Sequence, residues 1–369
     1  MQVDSSQLVP GCILMRDILG KTNRPIIPMN TVLTEQHITI LEKFMVPTVE
    51  VAAKLQTGER FTPTYISNET TEEKGKSQLK NITPAWRDQY SKAVKQYRRM
   101  FTGLQNGAML DIAAIRKLVT PLLKRVTEIG SGVFTLDRDV TKQNYFYHHS
   151  VAVGVLAAYI AQKMGYSKQK QLQIGLAGLL ANCGMAKLDI ETIQKEDELT
   201  AVERTEVRNH PTYAYKWIRD DTTIHDKVKL AVLQHHERLD GSGYPLGLTK
   251  QNIHSYARII AVCDSYHAII CERPYQQKQS PLQAMEEILS EGIVRLDQQV
   301  VRTLTGSLRN FLIGAHVRLS NQKLAEIVFI EEKHPTKPIV KLDATGEVIS
   351  LKTNTTLVME EIDLSCQEA

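Results

Sequence analysis

Apolar residues recur along this chain with two different periods, and the change of period divides it. From Thr83 to about 129, and again from about 140 to 310, apolar positions fall three and four apart, as in helices that bury one face. After Gly314 they gather in short β-branched runs: Val317 to Leu319, Ile327 to Ile330, Ile339 to Leu342, Val348 to Leu351 and Leu357 to Met359. Turn residues separate these runs, which predicts strands of a small β module. Near the start, Ile38, Leu41 and Met45 are helix-spaced around Thr34 to Phe44; Pro47 ends that helix, and Thr48 to Val51 predicts a short strand. Thr83 before Pro84 is a helix start, a capping hydroxyl followed by a proline whose missing N–H costs nothing there. Thr200 with Glu203 predicts a capping box. Gln56 to Ile82 is rich in Thr, Ser, Glu and Lys, with too few apolar residues for a core.

The pattern predicts a mainly α chain with five parts: a small α+β N-terminal module over 1–55, a polar linker over 56–82, leading helices over 83–135, a large helical domain over 136–312 and a small β module over 313–369. A length of 369 residues exceeds the ~100–150 of a common domain and calls for more than one folded unit. Hydrophobic content of 42% and charged content of 23% exclude a disordered or fibrous chain. The net charge is only +4, and Lys and Arg are scattered apart from short clusters such as Lys74, Lys76 and Lys80. No basic stripe interleaved with aromatics is present, which argues against nucleic acid as the partner. The five cysteines, Cys12, Cys183, Cys263, Cys271 and Cys366, are dispersed and odd in number, as expected of reduced thiols. Met1 to Ser6 lacks a basic start leading into an apolar run, and no stretch approaches the ~20 apolar residues that cross a bilayer. A cytoplasmic protein without a membrane span is expected.

Three polar residues sit where apolar ones belong. His149 continues the stripe of Val153, Leu156, Ile160 and Met164; His235 continues Val228, Ala231 and Val232; Asp264 continues Ala257 and Ile260. A lone histidine on such a face is ordinarily a hydrogen-bonded core residue, but a carboxylate there needs a cation or several donors. With His210 before Pro211 and His236 beside His235, these inward groups suggest one ligand cluster suited to iron, manganese or zinc.

In order and spacing these residues resemble the HD-GYP family of cyclic di-GMP phosphodiesterases, a branch of the HD superfamily of metal-dependent phosphohydrolases, over about residues 140 to 310. His149-Ser150 resembles the first metal histidine of that family. Lys195, Leu199-Thr200 and Glu203 resemble the segment leading to the next ligand, His210-Pro211. His235-His236-Glu237 and then Asp240-Gly241-Ser242-Gly243-Tyr244-Pro245-Leu246-Gly247-Leu248 carry the naming signature, and Asp264 falls at the closing aspartate. Gly243, Tyr244 and Pro245 resemble one wall of a ligand pocket, and Arg273 resembles an arginine that contacts a ligand phosphate. The resemblance implies a multihelical HD-type bundle. The opening, with Leu8-Val9-Pro10-Gly11 and then a helix and a strand, resembles the small module before many such domains.

The chain departs from the family at Ala181-Asn182-Cys183-Gly184-Met185, where the His-Asp-x-Gly-Lys segment would fall and only the glycine remains. In the family pattern the aspartate bridges metals; asparagine offers one neutral oxygen. Two metals ~3.5–4 Å apart are what stabilise the attacking and leaving oxygens in such a displacement. Ala181 removes a ligand, Met185 replaces a lysine, and Asn144 and Tyr145 occupy a region where some members place a further glutamate. Loss of one key electrostatic group costs ~100–1000-fold in rate, so no catalytic residue is assigned. His149, His210, His235, His236 and Asp264 are numerous enough for one metal, and a metal-free hydrogen-bonded core is the alternative. Three functions stand open: a non-hydrolysing receptor for cyclic di-GMP or a related dinucleotide or for a signalling protein, a phosphodiesterase with an altered metal site, and a pure docking module. A homodimer through the leading helices is also left open.

Overall fold

The computed structural model describes residues 1–19, 25–44, 46–63, 83–273 and 277–363. Most of the linker expected over 56–82, with Lys74, Lys76 and Lys80, lies outside them, as do Met45, Pro274, Tyr275 and Cys366. The chain forms two compact units, one of 1–78 with 312–369 and one of 79–311.

The first unit joins both ends of the chain. Strand β1 (Gln2–Asp4) pairs antiparallel with β4 (Thr48–Glu50), and β2 (Ile18–Leu19) pairs with β3 (Pro25–Ile27). Helix α1 (Glu35–Lys43) is capped by Thr34, whose hydroxyl accepts from the His37 N–H. The C-terminal strands β5 (His316–Leu319), β6 (Leu324–Phe329), β7 (Ile339–Leu342), β8 (Val348–Ser350) and β9 (Met359–Asp363) make one antiparallel sheet in the order β8-β7-β6-β5-β9. Val328, Ile339 and Val348 of that sheet share a core with Val3, Leu14, Ile27, Leu41 and Val51. Modules this small bury too little surface to stand alone, and here they bury it in common. The last strand starts at Met359 rather than ending there, because Arg318 pairs with Glu361 at the sheet edge, where polar residues face water.

The second unit is almost wholly helical: α2 (Pro84–Gln105), α3 (Ile112–Lys124), α4 (Val126–Ile129), α5 (Tyr145–Lys163), α6 (Lys168–Ala181), α7 (Ile190–Gln194), α8 (Ala201–Arg208), α9 (His210–Ile218), α10 (Asp226–Gln234), α11 (Ser255–Ile270), α12 (Pro281–Gly292) and α13 (Gln298–Leu312). Thr83 caps α2, and Thr200 with Glu203 forms the reciprocal capping box of α8. Phe134 lies at the centre of an aromatic core, its ring centroid 5.9 Å from Tyr159, 5.9 Å from Tyr266 and 5.7 Å from Phe311. No helix among the described residues is long and apolar enough to cross a membrane.

The pivotal helix is α5. It is buried on nearly every side, from Tyr145 and His148 through Ala161, so it shows no single apolar stripe. Its tight neighbour is α6: a Cβ on Gly154 would meet Gly175 O at 2.8 Å and Leu179 Cβ at 3.2 Å. The glycine lets the two backbones approach, which sets the spacing of His149 on α5 and Asn182 at the end of α6, both of which bond to Asp264. Gly154→Val therefore destabilises the helical unit by about 3 kcal/mol. Urea unfolding followed by tryptophan fluorescence checks this, since Trp86 and Trp217 both lie in that unit.

Candidate metal centre

Three histidines converge where α9 begins and α10 ends. His210 opens α9, His235 caps α10 and His236 follows it; one ring nitrogen of each lies within 4.8 Å of the others. His210 Nδ1 is 2.8 Å from Val207 O, and His235 Nδ1 is 2.8 Å from Val232 O. A carbonyl oxygen only accepts, so both Nδ1 atoms carry the proton and both Nε2 atoms carry a lone pair. Those two Nε2 atoms are 3.2 Å apart. Facing lone pairs repel, and a hydrogen bond between them needs a second proton on one ring. Burial, and then His235 beside it, press the His210 pKa down to about 3. Burial also lowers His235, and burial with His235 lowers His236 strongly. Neutral imidazoles with their outer nitrogens tied to carbonyls are the state in which histidine binds a metal. The donor set fits a divalent cation, which these three nitrogens would hold.

A second cluster adjoins it. Asp264 Oδ1 on α11 accepts from His149 Nε2 at 2.9 Å and from Asn182 Nδ2 at 2.9 Å, with Asn182 7% and Asp264 6% exposed. Burial opposes ionisation of Asp264, but the charge and hydrogen bond of His149, with His236 and His235 beyond it, hold its carboxyl well below the usual range. His149 Nδ1 in turn lies 3.1 Å from His267 Nδ1 and 3.3 Å from the Tyr145 hydroxyl, and His267 Nδ1 lies 3.4 Å from Cys271 Sγ. The five expected ligands are thus divided: His210, His235 and His236 form one group, and His149 faces Asp264 in another.

The segment from Ala181 to Met185 packs into the bundle. Ala181, Cys183 and Met185 are buried. Gly184 has a steric role of its own: a Cβ there would overlap His210 O and press on Ala214 N, so glycine lets the turn after α6 rest against the start of α9. Lys195 pairs with Glu203 at 2.7 Å and braces the capping box ahead of His210.

The glycine-rich turn is stapled to its own beginning. The Glu237 carboxylate accepts from the Leu246 N–H at 2.7 Å and the Leu248 N–H at 2.8 Å. Gly243 passes over Arg238 N and Glu237 Cα, which a Cβ would overlap. Folded back in this way, the turn lays the Tyr244 ring parallel to His236, with centroids 4.6 Å apart and 21° between planes; Pro245 follows it. Arg273 lies half-buried beyond α11, and its charge acts on Cys271. Sequence reasoning noted Tyr145 only as a departure from the family pattern and passed over His267, both of which touch His149, and Arg208, whose guanidinium lies over Tyr244. The first two were discoverable as further polar residues at helical spacing; nothing in the sequence marked Arg208.

This arrangement, a helical bundle that brings histidines and an aspartate from separate helices to one buried spot, defines an HD domain, and residues 138–300 match the family model described as "HD domain". Curated relatives of this chain are named as cyclic di-GMP phosphodiesterases. The chain is 32% identical to the cyclic di-GMP phosphodiesterase PA4108 of Pseudomonas aeruginosa over 243 residues, 66% of this chain and 58% of that protein. It is 28% identical to the cyclic di-GMP phosphodiesterase PdeB of Borreliella burgdorferi, over 56% of this chain and 54% of the relative. The 3'3'-cGAMP-specific phosphodiesterase 1 of Vibrio cholerae is 31% identical over 43% of this chain and 37% of its own length. The chain therefore spans under two thirds of these relatives. The solved structure of Bd1817, a HDG"Y"P protein from Bdellovibrio bacteriovorus, has the same fold, with a TM-score of 0.51, 12% identity, and coverage of 84% of this chain and 99% of that one.

Glu237→Gln should destabilise the turn by about 2 kcal/mol, because one amide oxygen cannot serve both N–H donors. Hydrogen exchange at the Leu246 and Leu248 amides should accelerate, and unchanged rates would show that the carboxylate does not hold the loop.

Proposed function

We propose that this protein is a cyclic-dinucleotide receptor of the HD-GYP family that binds cyclic di-GMP or a related dinucleotide at a single-metal centre and does not hydrolyse it. One observation carries the reading: Asn182 donates a hydrogen bond to Asp264 at 2.9 Å. In the family pattern a bridging aspartate stands at that position, and an amide donor there meets the closing aspartate without a cation. The His149–Asp264 half is then a self-satisfied polar core, its carboxylate matched by two N–H donors. The other half, His210, His235 and His236, holds one iron, manganese or zinc ion, a Lewis acid toward a ligand phosphate. The turn of Gly243, Tyr244 and Pro245 forms one wall, and Arg273 supplies a phosphate contact. Without a bridging carboxylate and a second cation, the hydroxide and the leaving oxygen have no shared clamp.

Elemental analysis, calorimetric titration with cyclic di-GMP and a product assay on one preparation test this. About one metal per chain, saturable binding and no linear product are expected, with metal lost in His235→Ala and dinucleotide binding weakened in Arg273→Ala. Steady release of linear dinucleotide or GMP by the unaltered protein would establish the altered-site phosphodiesterase instead. Absence of any dinucleotide binding would leave a docking module.

The half without metal makes its own prediction. Asn182→Asp places two buried carboxylates face to face and should cost about 3 kcal/mol in metal-free protein, the scale of breaking a buried pair. Manganese should restore much of that in a thermal-shift assay with and without chelator, and a variant as stable as the parent in chelator would contradict the hydrogen-bonded core.

A further inference from the structure

Arg208 ends α8, two residues before His210, and its side chain is exposed. Its guanidinium carbon lies 4.7 Å from the centroid of the Tyr244 ring, which stacks on His236 at 4.6 Å; His236 in turn meets His210 edge-on at 5.0 Å. A column of arginine, tyrosine and histidine thus connects the surface to the three-histidine group. A guanidinium over a ring keeps its N–H donors for an anion, and among the described residues those of Arg208 make no hydrogen bond or ion pair. The acidic side chain two residues earlier is engaged elsewhere: Glu206 accepts from the Tyr213 hydroxyl at 2.6 Å. Arg204, on the same helix, is turned to Leu199 O. Arg208 is therefore a positive charge held over Tyr244, one ring away from the candidate ligand His236, and among the described residues without an anion.

We propose that Arg208 is a second anion contact of this centre, taking the phosphodiester that the metal does not hold. The inference rests on the dinucleotide reading above and adds selectivity to it. A cyclic dinucleotide carries two phosphodiesters joined through one ring, whereas a mononucleotide carries a single phosphate. With one phosphate at the three histidines, the other lies toward the mouth of the site, where a guanidinium edge offers two parallel N–H donors to its oxygens. Arg208 then separates a two-phosphate ligand from a one-phosphate ligand without touching the metal.

The test is calorimetric titration of metal-loaded wild type, Arg208→Ala and Arg208→Lys with cyclic di-GMP and, separately, with GMP, alongside elemental analysis of each protein. Arg208→Ala should weaken cyclic di-GMP by about 10- to 100-fold, the range of a charge-assisted hydrogen bond, leave GMP within about threefold by the same reasoning, and keep its metal. Arg208→Lys should recover only part, since an ammonium lacks the paired donors. Equal binding of cyclic di-GMP by wild type and Arg208→Ala overturns the inference and leaves the receptor reading standing. Loss of metal in Arg208→Ala also overturns it, because the arginine would then be a prop for Tyr244 and His236. A wild-type protein that binds neither ligand removes the receptor reading and this inference with it.

Discussion

Two imidazole nitrogens that both present lone pairs at 3.2 Å set the terms for the rest of the helical unit. Their protonation follows from Val207 O and Val232 O, carbonyls at the ends of α8 and α10, each of which takes the Nδ1 proton of the histidine three residues on. The backbone thereby selects the tautomer, and burial keeps a second proton away from His210. Everything that brings α9 and α10 together, including Gly184 beneath His210, works against that repulsion. A bound cation turns the same geometry into an attraction, which is how a protein can hold an arrangement that would otherwise strain its own core.

The neighbouring cluster solves the opposite problem. Asp264 is a buried carboxylate, and a charge in that position requires partners. His149 and Asn182 provide two N–H donors to one oxygen, and the pKa of the aspartate is held well below the usual carboxylate range. The two halves therefore differ in kind: one has donors for a carboxylate, the other turns two lone pairs toward each other. Asn182 belongs to the aspartate half, where its amide donates to Asp264.

Much of the helical unit was legible, for local reasons. The caps at Thr83 and Thr200 depend on side chains adjacent to the backbone groups they satisfy, and the sequence exposes such pairs directly. His149 was located correctly on its helix but by an argument the structure weakens: α5 is buried all round, so no stripe picks out one side. Its polarity within an apolar helix was the informative part. The grouping of His210, His235 and His236 apart from His149 and Asp264 was not legible, since it depends on which helix ends meet and on which nitrogen a carbonyl claims. Nor was the union of the two chain ends: Lys341 Nζ reaches Pro25 O at 2.8 Å across more than three hundred residues, and periodicity reports only neighbours. The final strand was placed early because Leu357, Val358 and Met359 look like a strand, while an edge strand with acidic residues at 360, 361 and 363 does not.

The signature turn shows how one segment can serve packing and binding together. Glu237 spends both oxygens on the backbone of the turn, so it is unavailable as a ligand even though it follows two histidines directly. That arrangement places the Tyr244 ring on His236, and the Arg208 guanidinium lies over the same ring. A carboxylate that acts only on structure thus determines where an exposed cation points. An exposed arginine ordinarily carries little orientation, because its rotamers cost up to ~2 kcal/mol to fix. Stacking on a ring already held by the loop removes part of that cost before any ligand arrives, so the anion contact is preorganised by the same hydrogen bonds that close the turn.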